Sequence, residues 1–128
     1  MPSTADPIRS AYAAFAAGDI PGVLDTFADD IVWDVPPVGD WGGTFRGKAE
    51  VLGFFAGLPG RYGRWNLATE EFVDANGRLL VLGHHEFPDG DRIRFAHLWT
   101  VADGKATNFV EYVDNSALMR HLVDASVG

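Results

Sequence analysis

The N-terminal segment carries the spacing of two amphipathic helices. Apolar side chains recur every three or four residues after Asp6 and Pro7, residues typical of a helix start, and Gly18 ends this first helix. Asp19 and Pro21 repeat the start signal for a second, shorter helix. We therefore expect two helices that bury one face each.

The next stretch predicts a strand, a loop and a third helix. Residues 31–35 are mostly apolar and predict a short strand, which Pro36 and Pro37 end. Residues 38–47 are rich in glycine and predict a loop at the rim of a pocket. The segment 48–60 returns to helical spacing and closes on a proline and a glycine.

The second half of the chain alternates with a period of two, which is typical of strands. Four such segments follow one another, and they span 64–74, 78–87, 91–102 and 105–114. Turn residues connect them in sequence, namely Asn76-Gly77, Pro88-Asp89-Gly90 and Asp103-Gly104. We expect Asn115 or Ser116 to cap the start of a last helix. Its expected apolar face consists of Leu118, Met119, Leu122 and Val123.

This order predicts an α+β fold of one domain, residues 1–128, because helices precede a run of antiparallel strands. A long antiparallel sheet twists and curls. We expect a cone-shaped sheet with three helices on its concave face and a cavity between the two layers. One such cavity is the default binding site of this architecture.

Composition narrows the class of partner. The chain has 128 residues, of which 47% are hydrophobic, enough for a buried core. The absence of cysteine excludes disulfides and thiolate sites and fits the cytoplasm. The formal charge is −8 and the ten basic residues are scattered, so we expect no nucleic-acid partner. No apolar run approaches the roughly 18–20 residues of a membrane span, so we expect no membrane partner.

An imidazole on an apolar strand face is the first candidate for chemistry. His97 alternates with large apolar residues, which are Ile93, Phe95, Trp99 and Val101. Glu111 shares a face of the next strand with Phe109 and Val113, and the Asp103-Gly104 turn can bring that face opposite His97. A histidine and a carboxylate in contact are the minimum for moving a proton on an apolar substrate.

The residues alone leave alternatives open. His97 can be a core histidine hydrogen-bonded to backbone or water, and Glu111 points outward if the register shifts by one residue. Counting back from the Pro88–Gly90 turn places His84 beside the face of His97. His84, His97 and Glu111 then make a two-histidine, one-carboxylate set, but no spacing demands a metal, and we expect no metal and no cofactor.

Three stretches resemble the nuclear transport factor 2-like superfamily, and within it the SnoaL-like (polyketide cyclase) and ketosteroid isomerase-like proteins. They are AAFAAGDIPGVLDTFADDIVWDVPP, FRGKAEVLGFF and HLWTVADGKATNFVEYVD. The resemblance implies a cystatin-like, nuclear transport factor 2-like fold. SnoaL-like cyclases pair a pocket histidine on the penultimate strand with a carboxylate on the last strand, and His97 and Glu111 match those positions.

The same resemblance argues against the isomerase reaction. Val35 stands where the isomerases carry their base, and Ala11, with Tyr12 beside it, stands where they carry an oxyanion tyrosine. The catalytic residues expected here are therefore His97 and Glu111. The residues expected to bind substrate are Tyr12, Trp33, Val35, Phe54, His84, Phe95, Trp99, Phe109 and Val113.

Two functions fit these expectations. The first is a cofactor-independent enzyme that performs acid/base chemistry on a hydrophobic, carbonyl-bearing or polycyclic small molecule. The second is a module of the same fold that binds a small molecule or dimerises without catalysis. In either case the convex face of the sheet predicts a homodimer. Its apolar residues are Ala96, Leu98, Val110 and Tyr112.

Overall fold

The structure, a computed structural model, describes residues 5–38 and 41–121. Over these ranges the elements are α1 (Ala5–Ala16), α2 (Ile20–Asp25), β1 (Phe27–Val38), β2 (Trp41–Arg46), α3 (Gly47–Tyr62), β3 (Asn66–Asp74), β4 (Arg78–Glu86), β5 (Arg92–Ala102), β6 (Lys105–Val113) and α4 (Asn115–Met119). The predicted α+β fold is confirmed.

The strands form one sheet in the order β2-β1-β6-β5-β4-β3. Four of the pairings are antiparallel, including the three between successive strands from β3 to β6 that the sequence predicts, whereas β1 and β6 pair in parallel. After β1 the chain passes through β2, α3 and the strands β3 to β5. The last strand, β6, then lies next to β1 and runs in the same direction. This pairing places β1 beside β6, which carries Glu111.

The two-residue turns occur where the sequence predicts them. Asn76 and Gly77 have φ angles of 55° and 83°, and Asp103 and Gly104 have φ angles of 52° and 76°. Two successive positive φ angles define the turn whose twist matches that of the flanking strands. These turns join β3 to β4 and β5 to β6.

The predicted loop over 38–47 is wrong, because its residues Trp41–Arg46 form the edge strand β2. The strand predicted over 31–35 is also longer, since β1 extends through both prolines to Val38. The pairing register of β1 with β2 shifts between Val35 and Val38. The prolines fall in this irregular stretch, where the missing N–H groups cost no regular ladder bonds.

The third helix runs past the predicted stop at Pro59-Gly60 and ends at Tyr62. Leu58 and Tyr62 lie one turn apart and are both buried, so core packing holds the last turn in place. Gly63, with a φ angle of 64°, then ends the helix.

The last helix begins at Asn115, so the predicted cap at Asn115 or Ser116 is wrong, and the capping side chain is that of Asp114. Its Oδ1 accepts a hydrogen bond from the backbone N–H of Ala117 at 3.1 Å. Leu118 is buried and Met119 is exposed. Leu122 and Val123 lie outside the described residues.

The face predicted to form a homodimer lies on the side of the sheet opposite the buried core. Ala96, Leu98 and Val110 are half-buried there, and Tyr112 is 57% exposed. The dimer stays a prediction, which sedimentation at micromolar concentration tests. Among the described helices, none is both long and apolar enough to cross a bilayer.

Gly83 on β4 offers a direct test of how closely the sheet packs. A Cβ atom at this position would lie 2.1 Å from the carbonyl oxygen of Ala68 and 2.7 Å from Cζ of Phe95. We expect Gly83→Ala to lower the free energy of unfolding by about 1–3 kcal/mol, the usual cost of overpacking, as measured by urea denaturation.

Gly53→Ala is the matched control. Gly53 lies exposed within α3, and an added Cβ atom would meet nothing within 4 Å. Alanine favours the helix over glycine by about 0.5–1 kcal/mol, so this variant should be more stable than the parent. Equal stability of the two variants would contradict the tight packing at Gly83.

Candidate functional site

A cavity of about 60 Å³ lies between the concave face of the sheet and the helices α1 to α3. Its walls are almost entirely aromatic or aliphatic. Six of the predicted binding residues line it, which are Tyr12, Trp33, Val35, Phe54, Trp99 and Phe109. The polar groups that reach the cavity are concentrated on its sheet side, where His85, His97 and Glu111 meet.

Glu111 is a buried carboxylate, 8% exposed, held by two histidines. The Nε2 atoms of His97 and His85 each lie 2.9 Å from Oε2 of Glu111. The three side chains come from β6, β5 and β4, with Glu111 directly paired to His97 in the sheet. The predicted contact between His97 and Glu111 is therefore present, and a second histidine joins it.

Two tryptophans settle how the protons are distributed. The indole N–H of Trp65 donates to Nδ1 of His85 at 2.8 Å, so this nitrogen carries no proton. The indole N–H of Trp99 donates to the hydroxyl of Tyr12 at 3.1 Å, and that hydroxyl lies 2.5 Å from Nδ1 of His97. Burial lowers the pKa of His97, and its Nε2 faces the Glu111 carboxylate, so Nδ1 carries no proton and accepts the hydrogen bond from Tyr12. Both imidazoles are therefore neutral and present their Nε2–H to Glu111.

The pKa shifts agree with this distribution. Burial alone would raise the pKa of Glu111, but hydrogen bonds from His85 and His97 outweigh it and lower that pKa to about 2. Burial lowers the pKa of His97 below its ordinary value, against the opposing attraction of Glu111. Burial also raises the pKa of the Tyr12 phenol well above its ordinary value. At neutral pH the cluster carries one negative charge, on Glu111.

Two predicted binding residues lie away from the cavity wall. Phe95 is buried on the same face of β5 and stacks on the imidazole of His97, with ring centroids 3.8 Å apart. Val113 is half-buried and pairs with Phe95 in the sheet. Both therefore lie beyond His97 on the strands, and Phe95 contributes by packing against the imidazole.

The prediction that His84 lines the pocket is wrong. His84 points to the opposite face of β4, where its Nδ1 lies 2.7 Å from Oε1 of Glu70. The buried positions of β4 are the odd-numbered ones, Leu79 to His85. His85 occupies the pocket position instead. The alternative set of His84, His97 and Glu111 therefore does not form, because His84 lies on the opposite face of the sheet from the other two residues.

Loop length is the signal that identifies His85. Glu86 pairs with Arg92, so five residues separate the two strands and odd-numbered positions pair with odd ones. His97 pairs with Val81, and His85 follows Val81 by four residues on the same face. The polarity pattern could not show this, because residues 79–82 are apolar on both faces.

Two further residues of the site, Trp65 and Phe15, carry no local signal in the sequence. Trp65 precedes β3 and reaches the cavity only because the end of α3 packs over the sheet. Phe15 of α1 contacts the ring of Trp65 edge-on at 5.7 Å. Both residues also line a groove between α1 and β3, so this groove is the outer mouth of the cavity.

Within 5–38 and 41–121, no group of three or more His, Asp or Glu side chains is arranged to hold a metal ion. The Nε2 atoms of His85 and His97 both point at one oxygen of Glu111, which uses them as hydrogen-bond donors. The arrangement is suited to proton transfer, with a neutral imidazole backed by a carboxylate.

Comparison with known proteins identifies the family. The model of the SnoaL-like domain matches residues 8–109, most of the chain. The chain belongs to the SnoaL-like family. A search of curated proteins gave no match.

Solved structures place this SnoaL-like protein in the nuclear transport factor 2-like superfamily. A nuclear transport factor 2-like protein of unknown function from Burkholderia pseudomallei is 31% identical, with a TM-score of 0.85 over 97% of this chain and 100% of that one. TerC, co-crystallised with polyporic acid, is 32% identical, with a TM-score of 0.83 over 92% and 96%. A Xanthomonas campestris protein of unknown function shares the cystatin-like fold at 18% identity, with a TM-score of 0.80 over 90% and 94%.

The buried charge predicts a specific dependence of stability on acid. The pKa of Glu111 is lowered from 4.5 to about 2, so its contribution is complete above pH 4.5 and is lost as the pH falls towards 2. In Glu111→Gln this loss should be missing. The free energies of unfolding of parent and variant, measured in urea from pH 3 to 7, should converge by about 2 kcal/mol between pH 7 and pH 3, because about 1.4 kcal/mol is lost per pH unit below 4.5.

Glu111→Leu is the companion variant. Glutamine still presents an oxygen to both imidazole N–H groups, whereas leucine leaves two buried donors unpaired at about 1–3 kcal/mol each. We expect the leucine variant to be the less stable of the two at pH 7. A leucine variant as stable as the glutamine variant would show that the two histidines do not depend on this carboxylate.

Proposed function

We propose that this SnoaL-like protein is a cofactor-independent enzyme that moves a proton on a hydrophobic, carbonyl-bearing aromatic molecule. The observation that carries the proposal is the chain of hydrogen bonds from Tyr12 through His97 to Glu111 at the wall of an apolar cavity. Cyclisation, isomerisation and dehydration of such molecules share one step, the removal of a proton near a carbonyl group.

The cluster supports a defined path for that proton. Oη of Tyr12 accepts a proton from the ligand while its own proton passes to Nδ1 of His97. The imidazole then carries a positive charge, which the Glu111 carboxylate stabilises at Nε2 without taking the proton. Because burial raises the pKa of the Tyr12 phenol, the two transfers must be concerted and no phenolate accumulates. The reverse path returns the proton to product.

The apolar walls support the same proposal in two ways. They lower the local dielectric, which strengthens the attraction between the imidazolium and Glu111. They also favour a flat aromatic ligand, since the aromatic side chains of Trp33, Trp99 and Phe109 line the cavity. The relative TerC, which was co-crystallised with polyporic acid, adds support for a ligand of this kind.

The size of the cavity favours a second candidate function, the binding of a small molecule without catalysis. A volume of about 60 Å³ is well below the roughly 300–1,000 Å³ of sites that take drug-sized ligands. A ligand must therefore displace side chains at the mouth, where Phe15 and Trp65 contact each other. A protein of this fold that only binds its ligand would not need to transfer a proton through His97.

Hydrogen exchange at an enolisable carbon tests the proposal. We expect the protein to accelerate deuterium incorporation at the carbon beside the carbonyl of 1-indanone or 2-tetralone, followed by proton NMR in heavy water. His97→Gln keeps a donor towards Glu111 but removes the acceptor Nδ1. It should slow the catalysed exchange by about 10²–10⁴-fold.

His84→Gln is the matched control, because His84 lies on the neighbouring strand but on the opposite face. Its exchange rate should stay within about twofold of the parent. Exchange no faster than in buffer with both ketones would reject catalysis in favour of binding alone. Equal rates for the parent and His97→Gln would reject the role of His97.

A further inference from the structure

We propose that the indole N–H of Trp33 is the hydrogen-bond donor that fixes the acceptor oxygen of the ligand. The inference rests on the proposed function, because it takes the ligand to be an aromatic molecule in this cavity. It narrows the ligand to one with a hydrogen-bond acceptor, such as the carbonyl oxygen of the proposed substrate, since an indole N–H can donate a hydrogen bond but cannot accept one.

Three tryptophans line the cavity, and they differ in one respect. Trp65 donates its N–H to His85, and Trp99 donates its N–H to Tyr12. Trp33 is only 6% exposed, and its Nε1 is buried without a hydrogen-bond partner in the described part of the chain. Buried polar groups are normally paired, so an unpaired donor on a cavity wall indicates that its partner comes from outside the chain.

The surroundings of Trp33 hold its ring in one position. The indole stacks on Phe109 with ring centroids 3.8 Å apart and planes 14° apart. Phe55 packs edge-on at 5.2 Å, and Phe27 and Phe54 lie within about 6 Å. These aromatic neighbours offer the N–H no oxygen or nitrogen acceptor. A fixed donor without internal alternatives is pre-organised for a ligand oxygen.

The position of Trp33 relative to the proton path fits a single flat molecule. The ring of Trp99 lies 5.8 Å from that of Trp33 and 5.9 Å from that of Tyr12, and all three side chains line the same cavity. An aromatic ketone held by its oxygen at Trp33 directs the rest of the molecule towards Tyr12 and His97. The N–H would also stabilise negative charge that develops on that oxygen when a neighbouring proton leaves.

Two ligands that differ by one oxygen test this inference on the full ¹⁵N-labelled chain. We expect the indole N–H resonance of Trp33, assigned by its loss in Trp33→Phe, to move downfield on titration with 1-indanone. It should not move downfield with indane, which has the same ring skeleton and no acceptor. The resonance of Trp99, whose N–H is already bonded to Tyr12, serves as the internal reference.

Affinities provide the second measurement. Phenylalanine retains the stacking surface against Phe109 but removes the donor. Trp33→Phe should raise the Kd for 1-indanone by a factor that is about five to ten times larger than the factor for indane. This difference is the effect of losing one neutral hydrogen bond. The ratio of the two changes separates the lost donor from any loss of packing, which would weaken both ligands alike.

The outcomes distinguish this inference from the proposed function. An unmoved Trp33 resonance, equal movement with both ligands, or no binding of either ligand overturns it. If exchange depends on His97 but the Trp33 resonance does not respond, the proposed function stands without the donor. If the resonance responds but exchange is no faster than in buffer, the donor stands and the catalytic role of His97 fails. The NMR titration itself uses the parent protein. If Trp33→Phe does not fold, nuclear Overhauser contacts from the indole of Trp33 to the rings of Phe55 and Phe109 assign the resonance instead.

Discussion

The negative charge of Glu111, buried among aromatic rings, sets the strictest requirement in this structure. A carboxylate away from water needs hydrogen-bond donors, and His85 and His97 supply two from neighbouring strands. Each imidazole is neutral with Nδ1 as a hydrogen-bond acceptor. Nδ1 of His85 accepts from the indole of Trp65, and Nδ1 of His97 accepts from the phenol of Tyr12. The charge thus couples three strands of the sheet to α1 and to the segment that follows α3.

The same requirement explains why the site is suited to proton transfer. A fully satisfied network orders each side chain and fixes the tautomers, so His97 presents an acceptor nitrogen towards Tyr12 and a donor nitrogen towards Glu111. The network consumes the N–H groups of Trp65 and Trp99 but leaves that of Trp33 unpaired. The cavity therefore combines a closed internal network on one wall with an unpaired donor on another.

Register decided which carboxylate and which histidine enter the site. The two-residue turn at Asp103-Gly104, taken alone, pairs His97 with Val110 and turns Glu111 away. In the structure the register between β5 and β6 shifts by one residue between Thr100 and Val101, and His97 pairs with Glu111. The extra residue on β6 is a bulge. Alternating polarity predicts that Glu111 and Phe109 lie on the same face of β6. It does not predict the bulge that pairs Glu111 with His97.

By itself the sequence determined the order of the elements other than β2, the tight turns at Asn76-Gly77 and Asp103-Gly104, and the apolar face that carries His97. These features depend on neighbours within a few residues, where spacing and turn chemistry act directly. Only the tertiary structure decided that His85 rather than His84 faces the cavity and that Tyr12, 85 residues away in the chain, meets His97. The reason is that β4 is apolar on both faces, so its orientation follows from pairing with β5. The contact of Tyr12 with His97 likewise exists only once α1 packs against the sheet.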